Sequence, residues 1–179
     1  MSLKALIISD LGYALLGLLR SQPGSGYEIR SVFTSALLRR FSSSPGSIYP
    51  ALKRLQQRGL ITHKGSPRRG KFEITRAGRA ALVAWLSVPV VPEDAEVRVD
   101  ILMLKFAFTE GLLDLSERLR FLTSFEQAVN SHLETLISIR RSSAGQMPLH
   151  GRLSLDHQVA VAEANRSWIA HAKAELARP

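Results

Sequence analysis

The stretch Ser43-Ser44-Pro45-Gly46-Ser47-Ile48-Tyr49-Pro50-Ala51-Leu52-Lys53-Arg54-Leu55 decides how the chain is read. Ile48, Leu52 and Leu55 recur at helical spacing and define one buried face. Turning about 100° per residue, Gly46, Pro50, Lys53 and Gln57 fall on the opposite side, flanked by Tyr49 and Arg54. The pattern predicts a helix with an apolar back and a basic, tyrosine-bearing front, entered through small hydroxyl residues. Pro50 fits the first turn only if that helix starts near Ser47.

The elements on either side give this helix a context. Leu11 to Arg20 is almost continuously apolar and is closed by the breakers Gln22-Pro23-Gly24-Ser25-Gly26, so it reads as a short buried helix. Ile29, Val32, Phe33, Ala36 and Leu37 predict a second helix from about Tyr27 to Arg40. After the central helix, Gly59 stands where a helix-ending glycine belongs. Leu60-Ile61-Thr62-His63 and Lys71-Phe72-Glu73-Ile74 then read as two strands of a hairpin, turned by Gly65-Ser66-Pro67-Arg68-Arg69-Gly70. Thr75 is the candidate N-cap of a helix through Ala80, Leu82, Val83, Trp85 and Leu86. Three helices, a basic hairpin and a fourth helix make a winged helix-turn-helix.

Val88-Pro89-Val90-Val91-Pro92 interrupts any helix with two prolines, and the composition turns acidic immediately after it. The reading is a winged-helix DNA-binding domain over 1–87, a linker over 88–95, and a helical dimerisation and candidate effector domain over 96–179. In this last part, helices are expected at about Val97 to Phe108, Ser116 to Arg141 and Leu155 to Leu176, with a loop between Ser142 and Arg152. The middle helix carries Leu115, Leu119, Leu122, Val129, Leu133 and Leu136, with Phe125 beside them, as a stripe like a coiled-coil seam. Glu126 and Arg140 fall where apolar residues are wanted. The fold class is mainly α with a small β-hairpin wing.

Charge separates the halves. Up to Ser87, fourteen basic residues stand against Asp10, Glu28 and Glu73, a net of +11, whereas the remainder carries ten basic and twelve acidic residues. The first half has the balance of a domain that faces a polyanion. The whole chain, at +9 over 179 residues and 45% hydrophobic, is large enough to bury an ordinary core.

Other chemistries find little support. With no cysteine there is no disulfide framework or thiolate nucleophile, and an intracellular, cytoplasmic location is the default. His63, His132, His150, His157 and His171 lack the close pairing beside a carboxylate that a helical metal site needs, so no metal or cofactor is expected. The N-terminal apolar run is broken by Ser9 and Asp10 and lacks a signal-peptide cleavage pattern, and no segment reaches the roughly 18 apolar residues of a membrane span. Gly65 to Lys71 matches the spacing G-x-x-x-x-G-K of a phosphate-binding loop. Phe72 stands where a magnesium-binding hydroxyl is required, and a strand follows where a helix should open. Ser25, between two glycines, lacks the spacing of a nucleophile elbow, and no enzyme is indicated.

The residues assigned to DNA are therefore Ser44, Gly46, Ser47, Tyr49, Lys53 and Arg54 at the helix, with Arg68, Arg69 and Lys71 on the wing. Capping is the competing role for Ser44, and a solvated basic turn that for the wing. Trp85 and Trp168 are the candidates for a small-molecule effector pocket, against ordinary ring packing.

Three blocks, LGYALLGLLRSQPGSGYEIRSVF (11–33), SPGSIYPALKRLQQRGLI (44–61) and GSPRRGKFEITRAGRAALVAWL (65–86), resemble the winged-helix domain of PadR-family transcriptional regulators. The helix around Trp168-Ile169 resembles the end of that family's helical C-terminal region more weakly. The resemblance implies a homodimeric repressor on an operator with dyad symmetry, released by a ligand or stress signal. It also implies a DNA-reading helix at Ser44 to Arg58 and a wing at Gly65 to Lys71, with half-sites about 10 bp apart. Ser66 stands where a basic residue is frequent, Phe72 replaces a common tyrosine, and Arg76 takes a place often acidic. The alternatives are a winged-helix protein-interaction adaptor and a small-aromatic-ligand-binding protein without specific DNA binding.

Overall fold

A computed structural model describes residues 8–33, 45–66, 70–143 and 145–178. The chain divides into two compact units, the boundary falling between Leu86 and Ser87.

The first unit runs α1 (Asp10–Leu19), α2 (Gly26–Val32), α3 (Pro45–Gln57), β1 (Ile61–Lys64), β2 (Lys71–Ile74) and α4 (Arg76–Leu86). This is the order of a winged helix. α1 is apolar nearly all round because it is enclosed: it packs on α3, α4 and β2, and Ala14, Leu15 and Leu16 are fully buried. Ser9 caps it by accepting the Gly12 N–H, 3.2 Å. α2 opens with a capping box between Ser25 and Glu28. The second half of the helix expected to Arg40 lies outside the described residues.

β1 and β2 are antiparallel, with Ile61 opposite Ile74 and Lys64 opposite Lys71. Gly24 adds a one-residue bridge to β2, exchanging backbone bonds of 3.0 and 2.8 Å with Phe72. At the turn Gly65 has φ +99°, open to glycine alone at little cost, and the Gly70 N–H donates to the Ser66 carbonyl at 2.7 Å. Lys71 starts a strand, where a phosphate-binding loop would open a helix. Thr75 caps α4 as expected: its Oγ1 accepts from Gly78 N at 3.0 Å and donates to the Gly59 carbonyl at 2.7 Å.

The second unit contains α5 (Pro92–Val97), α6 (Val99–Thr109), α7 (Leu115–Ser142) and α8 (Leu149–Leu176). Two of these elements depart from the sequence reading. The segment 88–95 is not all linker. Pro92 occupies the first turn of α5, where its missing N–H costs nothing, Glu93 and Asp94 suit the helix start, and Val90 and Ala95 are buried in the core of this unit. α8 begins six residues before Leu155, directly after Pro148, and carries Gly151 within its first turn.

α7 and α8 form a helical hairpin. The α7 residues Phe121, Leu122, Phe125, Ala128, Val129, Leu133 and Leu136 share one core with Leu155, Val159, Ala162, Ile169 and Ala172 of α8. The stripe that resembles an intermolecular seam is thus covered inside one chain, and Leu115 lies off it, exposed. The two charges that interrupt the stripe both reach α8. Glu126 pairs with Lys173 at 2.7 Å and Arg140 with Asp156 at 3.8 Å, which fixes an antiparallel register. No helix among the described residues is long and apolar enough to cross a membrane.

Candidate nucleic-acid interface

α3 carries the candidate surface, and its core contacts determine which way it faces. Ile48, Ala51, Leu52 and Leu55 are buried. That anchoring leaves Gly46, Tyr49, Pro50, Lys53, Arg54 and Gln57 exposed, with Ser47 half-buried. The front and back predicted from spacing are the front and back observed.

Pro50 is a difference. The helix starts at Pro45, two residues before Ser47, so Pro50 falls in the second turn, with no N–H to give the Gly46 carbonyl. Pro45 explains the early start, because its fixed φ suits the first helical position. Among the described residues neither Lys53 nor Arg54 has an ion-pair partner, so both charges are available to an anion. Ser44, Arg68 and Arg69 lie outside the described residues.

The carboxylates of this unit are largely engaged. Glu73 binds Lys64 across the hairpin at 2.6 Å. Glu28 accepts the Ser25 N–H at 2.7 Å, and that bond, the Ser25 hydroxyl and the charge of Lys71 together hold its carboxyl below the usual range. Lys71, exposed at the base of the wing, is therefore within electrostatic reach of the start of α2.

Sequence spacing passed over the start of α2 itself. Tyr27 is 77% exposed there, and the neighbouring Gly26 lies against the ring of Tyr49, which is 51% exposed. Neither relation has a local signal, since Gly26 and Tyr49 are brought together only by the packing of α2 on α3.

The two tryptophans are committed to packing, each in its own unit. Trp85 stacks on Tyr13, with centroids 4.4 Å apart and planes 5° from parallel. Burial pushes the Tyr13 phenol up, against an opposing pull from Arg58. Trp168 meets Phe106 edge to face at 5.1 Å, and Phe106 lies 6.5 Å from Phe121. Among the described residues no three His, Asp or Glu side chains gather as a metal site would need.

Residues 15–84 match the Transcriptional regulator PadR-like family. The negative transcriptional regulator PadR of Bacillus subtilis (strain 168) is 40% identical over 81 residues, which are 42% of this chain and 44% of that relative. The match thus spans less than half the length of the curated relative. Among solved structures, Bacillus subtilis PadR in complex with operator DNA is 27% identical, with a TM-score of 0.41 and coverage of 94% of this chain and 99% of that one. The Vibrio cholerae virulence activator AphA is 22% identical, with a TM-score of 0.42 and coverage of 93% and 97%. The stretch that matches the PadR-like family of transcriptional regulators, residues 15–84, has α3 and its exposed basic front at its centre.

Proposed function

We propose that the chain is a sequence-specific DNA-binding regulator that works as a dimeric repressor on a pseudo-palindromic operator. The observation that carries the reading is the outward face of α3: Tyr49, Lys53 and Arg54 are exposed, both cations lack partners among the described residues, and the half that holds them has a net charge of +11. α3 is the second helix of the helix-turn-helix and enters the major groove. The small residues Gly46 and Ser47 of α3, with Ser44 just before it in the sequence, let the backbone come close to phosphates, and Tyr49, Lys53 and Arg54 lie along the groove. Arg68, Arg69 and Lys71 of the wing contact flanking phosphates or the minor groove. The negative regulator that shares 40% identity over 81 residues supports repression as the sense of control.

The part of the second unit from 96 to 179 is read as the dimerisation region. Leu149, Leu153 and Val161 support this, because they stand exposed on α8 at spacings of four and eight residues. A small aromatic effector extends the proposal, with Trp85 and Trp168 as its reporters. Quenching of tryptophan fluorescence by an aromatic ligand, together with loss of DNA binding, is the expected sign; a ligand that quenches without moving the DNA affinity contradicts it.

The proposal is tested by titrating wild type, Lys53→Ala, Arg54→Ala and Tyr49→Ala against a selected duplex at several salt concentrations. A lysine or arginine on a phosphate should lower the salt slope by about 1 when removed, and a base contact should reduce the preference over a scrambled duplex by about 1–3 kcal/mol. Unchanged affinity and slope in all three variants would leave α3 without a role in DNA binding and favour a protein-contact surface.

A further inference from the structure

Gly26 and Tyr49 meet in a way that neither helix requires by itself. Gly26 is the first residue of α2, and its φ is not positive, so its backbone accepts any L-residue. Helix propensity even favours alanine at such a place. What excludes a side chain is the tyrosine. A Cβ on Gly26 would stand 2.6 Å from Cε1 of Tyr49, 3.1 Å from its hydroxyl oxygen and 3.2 Å from Cζ. The hydroxyl-bearing end of the ring thus rests on bare backbone at the start of α2, while half of the side chain remains open to solvent.

A ring held in this manner is oriented before anything binds. Tyr49 sits on the exposed front of α3, where free rotation of χ1 and χ2 would otherwise have to be lost on contact with DNA. We infer that Gly26 is a positioning residue for DNA recognition: its lack of a side chain seats the Tyr49 ring against α2 and aims the phenol at the nucleic acid. The inference rests on the proposed role of Tyr49 in DNA contact. Gly26 itself touches no DNA in this account and acts through the ring.

The test is a double-mutant cycle over Gly26→Ala and Tyr49→Ala in the full chain, read twice. The first readout is affinity for a fluorescein-labelled duplex enriched from a random library by the wild-type protein, with a scrambled duplex of the same composition as reference. Gly26→Ala should weaken the enriched duplex roughly tenfold, the size of one lost hydrogen bond to a charged group. Tyr49→Ala should do at least as much, and the double variant should be no weaker than Tyr49→Ala alone, because without the ring the new methyl meets nothing. The second readout is the thermal midpoint without DNA, where Gly26→Ala should cost stability in the presence of Tyr49 and none in its absence.

If Gly26→Ala binds the enriched duplex like wild type while Tyr49→Ala does not, the positioning role is overturned. Additive losses overturn it as well, since they would mean that Gly26 acts independently of the ring. If Tyr49→Ala leaves affinity unchanged, the DNA role of Tyr49 fails and the positioning role falls with it; coupling confined to the midpoints then identifies the contact as packing alone.

Discussion

Gly78 offers the sharpest test of how the winged helix is held together. It is buried in the first turn of α4, and a Cβ there would land on the carbonyl oxygen of Leu60, with the carbonyl carbon at 2.9 Å and Cγ1 of Ile74 at 3.0 Å. Carbon atoms in contact stand about 3.5–4.0 Å apart, so α4 and the segment entering β1 would have to separate by roughly an ångström. That backbone cannot yield cheaply. The Leu60 carbonyl accepts the Thr75 N–H at 3.0 Å, and the Gly59 carbonyl accepts the Thr75 hydroxyl at 2.7 Å.

Overpacking costs about 1–3 kcal/mol, and each hydrogen bond weakened adds about 1 kcal/mol. Replacing a helical glycine by alanine returns about 1 kcal/mol. Gly78→Ala should therefore lose about 2–4 kcal/mol in urea denaturation. The exposed Ala80 of the same helix gives the comparison, where Ala80→Gly should lose only about 1 kcal/mol, from propensity alone. If Gly78→Ala is as stable as wild type or more so, α4 does not approach Leu60 as described and the account of this junction is wrong.

Three further outcomes follow from named contacts. Lys173→Met leaves Glu126, about one-third exposed, without its partner and should cost about 1–2 kcal/mol in the same assay, discounted for solvent screening, whereas Glu126→Leu with Lys173→Leu should be neutral or stabilising; a double variant as weak as the single would refute the pairing. Both capping boxes bear on acid stability, because the Glu28 and Asp114 carboxyls are held below their ordinary 4.5 and 3.8, in each case chiefly by backbone N–H bonds. The unfolded chain then takes up protons first, so their contribution is complete above 4.5, declines as pH falls through 4.5 and 3.8, and is gone below the lowered values. Asp114→Ala should flatten the fall in thermal midpoint over that window, and an unaltered profile would count against it. Phe106→Leu removes the edge-to-face partner of Trp168, so the Trp168 emission should change while that of Trp85, stacked on Tyr13, stays as it is; single-tryptophan variants separate the two signals.

The parts of the molecule readable from sequence are those whose cause is local. Ile48, Leu52 and Leu55 repeat at helical spacing, so the buried and exposed sides of α3 follow directly. The hairpin has alternating strands and a glycine-bounded turn, and Thr75 caps the next helix three residues ahead of its bonded N–H. The features missed depend on partners distant in the chain. Glu126 looks misplaced in an apolar stripe until Lys173, 47 residues away, is seen to pair with it. The same stripe reads equally well as a seam between two chains or within one, and only the folded hairpin shows α8 filling it. In sequence Pro92 and Gly151 read as signs of linker and loop, yet both stand in the first turn of a helix, where proline costs no bond and glycine little. The value of Gly26 likewise lies in a ring 23 positions along the sequence.

Whether the proposed front of α3 reads DNA is tested by selection of bound duplexes from a random library by the purified full chain. The expected result is enrichment of a two-fold symmetric motif with half-sites about 10 bp apart, preferred about a thousandfold or more over scrambled DNA, with a steep salt dependence. Salt-sensitive binding without any enriched motif, or no binding at all, would contradict it.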